Sequence, residues 1–276
     1  MKSCLVTGTS LQVSRLGFGT ASLHRLFGDA ARHALLADAV NAGFTHFDTA
    51  RTYGEGIAEH TLGRFLAAGL RQKVTLASKF GLPADPLFEC VPALMYAQRA
   101  IGGMVRRLGM RGRQRVRSVS PAAAEASLTK SLKALQTDWL DILFVHEPQL
   151  GDVADLHALA EWFTRQKSNG RVRYLGLAGS AANCLAVMQK VPNVFDVLQV
   201  EDSLAEREAD VLVSAGKPLQ VTYGYLRRAF GHLVNSSALP IDGLNVMRAA
   251  LDRNRNGMVL VSTLKANRLC DLAALS

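Results

Sequence analysis

A chain of 276 residues that is 49% hydrophobic and 20% charged, with a mean hydropathy of +0.10, can bury a large core, and its composition excludes a disordered chain. No apolar run reaches the roughly 18 residues that a membrane-spanning helix needs, and the opening MKSCLVTGTSLQVSR turns polar too early for a signal-peptide core, so the expected setting is the cytoplasm, with no membrane partner. The formal charge of +9 is concentrated in RRLGMRGRQRVR, where Arg106, Arg107, Arg111, Arg113, Arg115 and Arg117 fall together; no aromatic residues interleave them, which argues against a nucleic-acid partner.

In chain order, SCLVTGTSLQVSRL reads first, as a β-hairpin around a Gly-Thr turn. Eight short apolar runs follow: LGFGTA (16–21), THFDTA (45–50), VTLASKF (74–80), WLDILFVHEP (139–148), VRYLGLAG (172–179), VLQVED (197–202), LQVTYG (219–224) and MVLVST (258–263). Helical periodicity fills the stretches between them. Residues 29–42 place Ala34, Leu35, Ala39 and Val40 on one face, and Ile57, Leu62, Phe65 and Leu66 repeat the pattern. Ser120 and Pro121 form an N-cap and first-turn pair, and KSNG ends the helix before the fifth run. Eight βα units predict an α/β fold of the (β/α)8 TIM-barrel type spanning 1–276 as one domain, with an open doubly wound sheet as the alternative. The stretch 82–120 is too long for an ordinary connection and predicts a mobile, basic excursion over the barrel mouth, partly helical over 91–108. Neither a GxGxxG turn between strand and helix nor a GxxxxGK[ST] loop is present, so a nucleotide would have to be held differently. Cys4, Cys90, Cys184 and Cys270 are far apart and show no metal-ligand spacing.

Barrel geometry gathers the C-terminal ends of the strands at one mouth. The second run ends in Asp48 and delivers Tyr53 in the next turn; the third carries Lys79 and the fourth ends in His146. A phenol exchanges protons poorly at neutral pH unless its anion is stabilised, and a neighbouring ammonium does that. Lys79 is therefore expected to lower the pKa of Tyr53, Asp48 to keep Lys79 charged and aimed, and His146 to orient a carbonyl oxygen. The same groups admit two other readings. Lys79 could be the Schiff-base nucleophile of an aldolase-like barrel. Alternatively, a non-catalytic barrel could sense a cofactor and dock anions through its arginines.

The successive segments LGFGTA, AGFTHFDTARTYGEGIAEHTLG, VTLASKFG, SLTKSLKALQTDWLDILFVHEP, VRYLGLAGS and VFDVLQVEDSL resemble those of the aldo-keto reductase family, in order. The resemblance implies a (β/α)8 barrel whose N-terminal hairpin closes the bottom. It also implies NADPH-dependent reduction of an aldehyde or ketone, or oxidation of the corresponding alcohol or sugar. Asp48, Tyr53, Lys79 and His146 would be catalytic, with no metal, and NADPH is favoured over NADH. Cofactor contacts carry over to Gly19, Thr20, Ser180, Gln199 (nicotinamide carboxamide), Tyr223 (nicotinamide ring), Ser262, Thr263, Lys265 and Arg268 (adenosine phosphate). Two departures stand out. The family's Ser-Asn after strand five is Ala178-Gly179 here, leaving Ser180 to take its place, and its strand-eight lysine is Ser262. Arg227 and Arg228 are candidates for the cofactor diphosphate. Leu23, His24, Tyr96 and the 82–120 excursion are the expected substrate-selecting positions.

Overall fold

The computed structural model describes residues 1–85, 87–88, 116–233 and 242–276. Two short strands, β1 (Ser3–Leu5) and β2 (Gln12–Ser14), pair antiparallel as the predicted hairpin, with Gly8 at φ +82° in the turn. The eight predicted runs then appear as β3 (Leu16–Gly19), β4 (His46–Asp48), β5 (Thr75–Phe80), β6 (Leu140–His146), β7 (Val172–Gly179), β8 (Val197–Glu201), β9 (Val221–Tyr223) and β10 (Met258–Val261). They pair parallel in sequence order, and β10 returns to β3 to close the barrel. Parallel pairing needs a crossover after each strand, and the helices supply it.

Those helices begin and end where the local chemistry requires. Ser120 caps Pro121–Leu135, accepting from the Ala123 amide at 3.3 Å, and Gln136 closes that helix in the left-handed region at φ +51°. Val153–Ser168 ends before Gly170, at φ +70°. Two cores result. Phe18, Phe44, Phe47, Leu62, Leu76 and Leu128, all essentially fully buried, fill the layer between strands and helices. Inside the barrel, Ile142, Phe144, Val197, Val221 and Met258 pack with Val6, Leu11 and Val13 from the hairpin.

The hairpin therefore closes the N-terminal end. The backbone amide of Ser10 donates to the Tyr174 hydroxyl at 2.9 Å near the start of β7, and Gln220 donates to Thr7 O at 2.6 Å. This leaves the C-terminal ends of the strands as the open mouth. The expected helix over 91–108 and the arginines 106, 107, 111, 113 and 115 lie outside the described residues.

Candidate active site

The turn after β4 is built to bring Tyr53 back over the barrel. Three successive residues, Gly54 (φ +60°), Glu55 (φ +54°) and Gly56 (φ +92°), are left-handed, and the helix Ile57–Leu66 starts directly after them. Gly54 is needed on a second count, since a Cβ there would lie 2.4 Å from the Cβ of His24. The turn is tied to β5 from below: the fully buried Glu59 accepts from Arg51 Nη1 at 2.8 Å and from Ser78 Oγ at 2.6 Å. Ser78 precedes Lys79, so one buried carboxylate fixes the positions of both Tyr53's turn and Lys79's strand.

Asp48 ends β4 and Lys79 lies one residue before the end of β5, on a neighbouring strand. Lys79 Nζ donates to Asp48 Oδ1 at 2.7 Å, to Oδ2 at 2.6 Å and to the Thr49 carbonyl at 2.9 Å. Both side chains are almost wholly buried. Burial alone would push the ammonium towards neutrality, but Asp48, together with Tyr53, outweighs it and holds Lys79 above the ordinary lysine value. A Schiff-base nucleophile must be neutral, so this environment opposes the aldolase-like reading.

The Lys79 ammonium lies 4.8 Å from the centroid of the Tyr53 ring. The ring of His146, the last residue of β6, stands nearly perpendicular to that ring, with centroids 6.2 Å apart and an interplanar angle of 83°. The four predicted groups thus meet at one mouth. One expectation about them needs correction. Burial raises the Tyr53 phenol above its ordinary value; Lys79 pulls it down, as expected, but Asp48 and Glu147 add to the rise and the net direction is upward. Tyr53 is therefore a neutral phenol at neutral pH, the form that can give a proton. Burial, then Lys79 and Arg117, push His146 down to about 3, so its imidazole is neutral and can donate one hydrogen bond.

The positions expected to meet a cofactor form an arc from β7 round to β3. Gln199 on β8 is 3% exposed, and its Oε1 has no hydrogen-bond partner among the described residues. A buried amide oxygen left without a donor costs about 1–3 kcal/mol, which fits a site completed by an amide-bearing ligand. Tyr223 ends β9 half-buried. Ser262, Lys265 and Arg268 are exposed at the entry to the helix Ala266–Ala273, and Thr263 accepts from the Lys265 amide at 3.2 Å. This rim stands beside Gly19, because β10 pairs with β3. Thr20 is fully buried beneath Asp48, its hydroxyl donating to the Asp48 carbonyl at 3.0 Å, so what it visibly does is position that aspartate. Ser180 caps the helix Ala181–Lys190, accepting from the Asn183 amide at 3.3 Å. Arg227 and Arg228 both bind Glu201 Oε1, at 2.6 and 2.7 Å.

The Aldo/keto reductase family model matches residues 15–215. The chain belongs to that family, a family of oxidoreductases. Among similar aldo/keto reductase relatives, an NADP(+) aldo-keto reductase of Schizosaccharomyces pombe is 27% identical over 177 residues, covering 63% of this chain and 44% of that protein. A D-threo-aldose 1-dehydrogenase of a Pseudomonas species is 30% identical over 183 residues, covering 63% and 53%. The chain thus matches about half the length of these curated relatives. The holo form of an aldo-keto reductase from Bacillus halodurans shares the fold, with a TM-score of 0.74 at 20% identity over 100% of this chain and 90% of that one.

Two residues at this aldo/keto reductase mouth escape a reading of the sequence. Arg117 looks like one more cation in a basic run, yet its Nη1 donates to the His146 carbonyl at 2.6 Å and its Nη2 pairs with Asp152. Glu147, directly after His146, carries only the weak signal of an acid between a strand-end histidine and Pro148; its backbone is left-handed, at φ +52°.

Proposed function

We propose that this protein is an NADPH-dependent oxidoreductase that reduces an aldehyde or ketone, or oxidises the corresponding alcohol or sugar, with Tyr53 as general acid and base. The observation that carries this reading is the Asp48–Lys79 pair at 2.6 Å with its ammonium against the Tyr53 ring. The names of the two curated relatives, an NADP(+) enzyme and an aldose dehydrogenase, support the same cofactor and substrate class.

The orphaned Gln199 oxygen fits the nicotinamide carboxamide, Tyr223 the ring face, and the exposed Lys265 and Arg268 the phosphate end, with Ser180, Ser262, Thr263, Gly19 and Thr20 lining or supporting the same arc. When bound, the reduced nicotinamide supplies a hydride to the carbonyl carbon. Tyr53 gives its proton to the carbonyl oxygen, and the phenolate left behind is stabilised by Lys79, which Asp48 keeps charged. Neutral His146 donates a hydrogen bond to that oxygen and so orients the substrate. In alcohol oxidation the phenolate takes the proton back.

Addition of aldehydes, aldoses and ketones to enzyme and NADPH is expected to consume NADPH absorbance, with NADPH binding more tightly than NADH in parallel titrations. Failure of both cofactors to bind would overturn the reading.

A further inference from the structure

His146 is held unevenly by the sheet. On one side it pairs with Ala178 on β7, while on the other the ladder between β5 and β6 ends at the pair Phe80 and Val145, one residue short of it. The position that would continue that ladder is Gly81, at φ +107°, where the chain leaves β5. Residues 117–119 return to this place. The Ser118 amide donates to the Gly81 carbonyl at 3.0 Å, and the buried Val119 packs so close that a Cβ on Gly81 would lie 3.3 Å from its Cγ1.

Arg117 carries the link across to β6. Its Nη1 donates to the His146 carbonyl at 2.6 Å and to the Glu147 carbonyl at 2.5 Å, and its Nη2 pairs with Asp152, which accepts from the Gln149 amide at 2.7 Å. One guanidinium thus closes the turn that follows His146 and ties it to the end of β5, the strand that carries Lys79. Only 15% of the Arg117 side chain and 16% of that of Asp152 is exposed, so the pair is shielded from the water that weakens surface ion pairs. The planar fork of a guanidinium can meet two carbonyls and a carboxylate together, whereas a lysine ammonium is a compact point charge.

We propose that Arg117 is a positioning residue of the reaction: by joining the ends of β5 and β6 it sets where the His146 imidazole stands relative to Tyr53 and the substrate oxygen. Its contacts are to the backbone of the turn, so it acts through His146. The inference rests on the oxidoreductase reading above. The Arg117 charge also adds to the burial and the Lys79 charge that keep the imidazole neutral.

The test is a double-mutant cycle between Arg117 and His146, with NADPH binding by calorimetry and the unfolding midpoint measured beside carbonyl turnover for every variant. Arg117→Met keeps most of the length of the side chain and removes its donors. It is expected to bind NADPH within about twofold of the wild type while kcat/KM falls roughly 10- to 100-fold, the cost of a small misplacement of a catalytic group. Arg117→Lys, which can still reach one carbonyl, is expected to recover part of that loss. In the His146→Ala background the same Arg117→Met change is expected to cost less than about twofold, since the group it positions is gone. If Arg117→Met costs nothing, or costs the same factor with and without the imidazole, the inference is wrong although the oxidoreductase reading stands. If Arg117→Met does not fold, Arg117→Lys carries the cycle under the same two criteria. If the wild type turns over no carbonyl compound with NADPH, both fall.

Discussion

Two glutamines, Gln199 on β8 and Gln220 directly before the neighbouring β9, show how differently the two ends of this barrel are finished. Gln220, at the closed end, is 7% exposed and every polar atom is engaged: Oε1 accepts from Leu198 N at 2.7 Å, and Nε2 donates to Thr7 O at 2.6 Å and Asp196 O at 2.8 Å. Gln199, at the open end, is more deeply buried at 3% and has an oxygen with no partner among the described residues. The same contrast holds for charge. At the closed end Asp141 is shared by Arg71, Arg173 and the Leu76 amide. At the mouth the ammonium of Lys79 is paired, but the pair is set against a half-buried phenol facing an imidazole. The Gln220 and Asp141 contacts hold the closed end together, whereas the Gln199 oxygen at the mouth is left incomplete, and incompleteness in a buried setting is what a ligand repairs.

This contrast can be broken at several points. The largest effect is expected from Lys79→Met. It removes the cation that steadies Tyr53 and leaves Asp48 buried and unpaired, so carbonyl turnover should fall at least a hundredfold and unfolding stability by about 3–5 kcal/mol in urea titration. Adding Asp48→Asn to that variant should restore much of the stability and none of the turnover.

A smaller effect separates the glutamines. Gln220→Ala leaves the Leu198 amide and two carbonyls without partners and is expected to lower stability by about 1–3 kcal/mol, with cofactor binding little changed in calorimetry. Gln199→Leu is expected to do the reverse: unfolding midpoints near the wild type, and weaker NADPH binding.

The smallest concerns acid. Burial pushes His46, at the foot of β4, down to about 4, and His146 to about 3. The unfolded chain, with histidines near 6.5, binds more protons than the folded one across this window, so stability is fully present above about pH 6.5 and is lost as pH falls towards 4 and then 3. For His46, 1% exposed, the slope is at most about 1.4 kcal/mol per pH unit, and His46→Gln should flatten it in pH-dependent melts. Activity between pH 5 and 8, in contrast, should carry no step from His146, which stays neutral throughout.

The architecture was legible because it depends on local pattern. Each strand is a short apolar run with a helical stretch after it, and the hairpin, the eight strands and their order follow. The apolar runs extend a residue or more past the strands: the sixth reaches Asp202, whereas β8 stops at Glu201 and the Asp202 carboxylate accepts from Arg253 and the Tyr225 hydroxyl. The meeting of Asp48, Tyr53, Lys79 and His146 was legible too, since barrel strands point their last residues at one place. The direction of Tyr53's pKa was not. Sequence shows which charges are near but not how much water the fold removes, and here burial outweighs Lys79. Glu147 and Arg117 were hidden for a related reason. Their placement depends on the left-handed backbone at Glu147 and on Arg117 reaching the His146 and Glu147 carbonyls, neither of which a linear pattern records.

The most direct test of the central claim is Tyr53→Phe, measured for both NADPH binding and carbonyl turnover. The substitution removes only the phenolic oxygen, so binding should match the wild type while turnover falls about 100- to 10,000-fold, the range general acid catalysis supplies. Wild-type turnover in Tyr53→Phe would contradict the account.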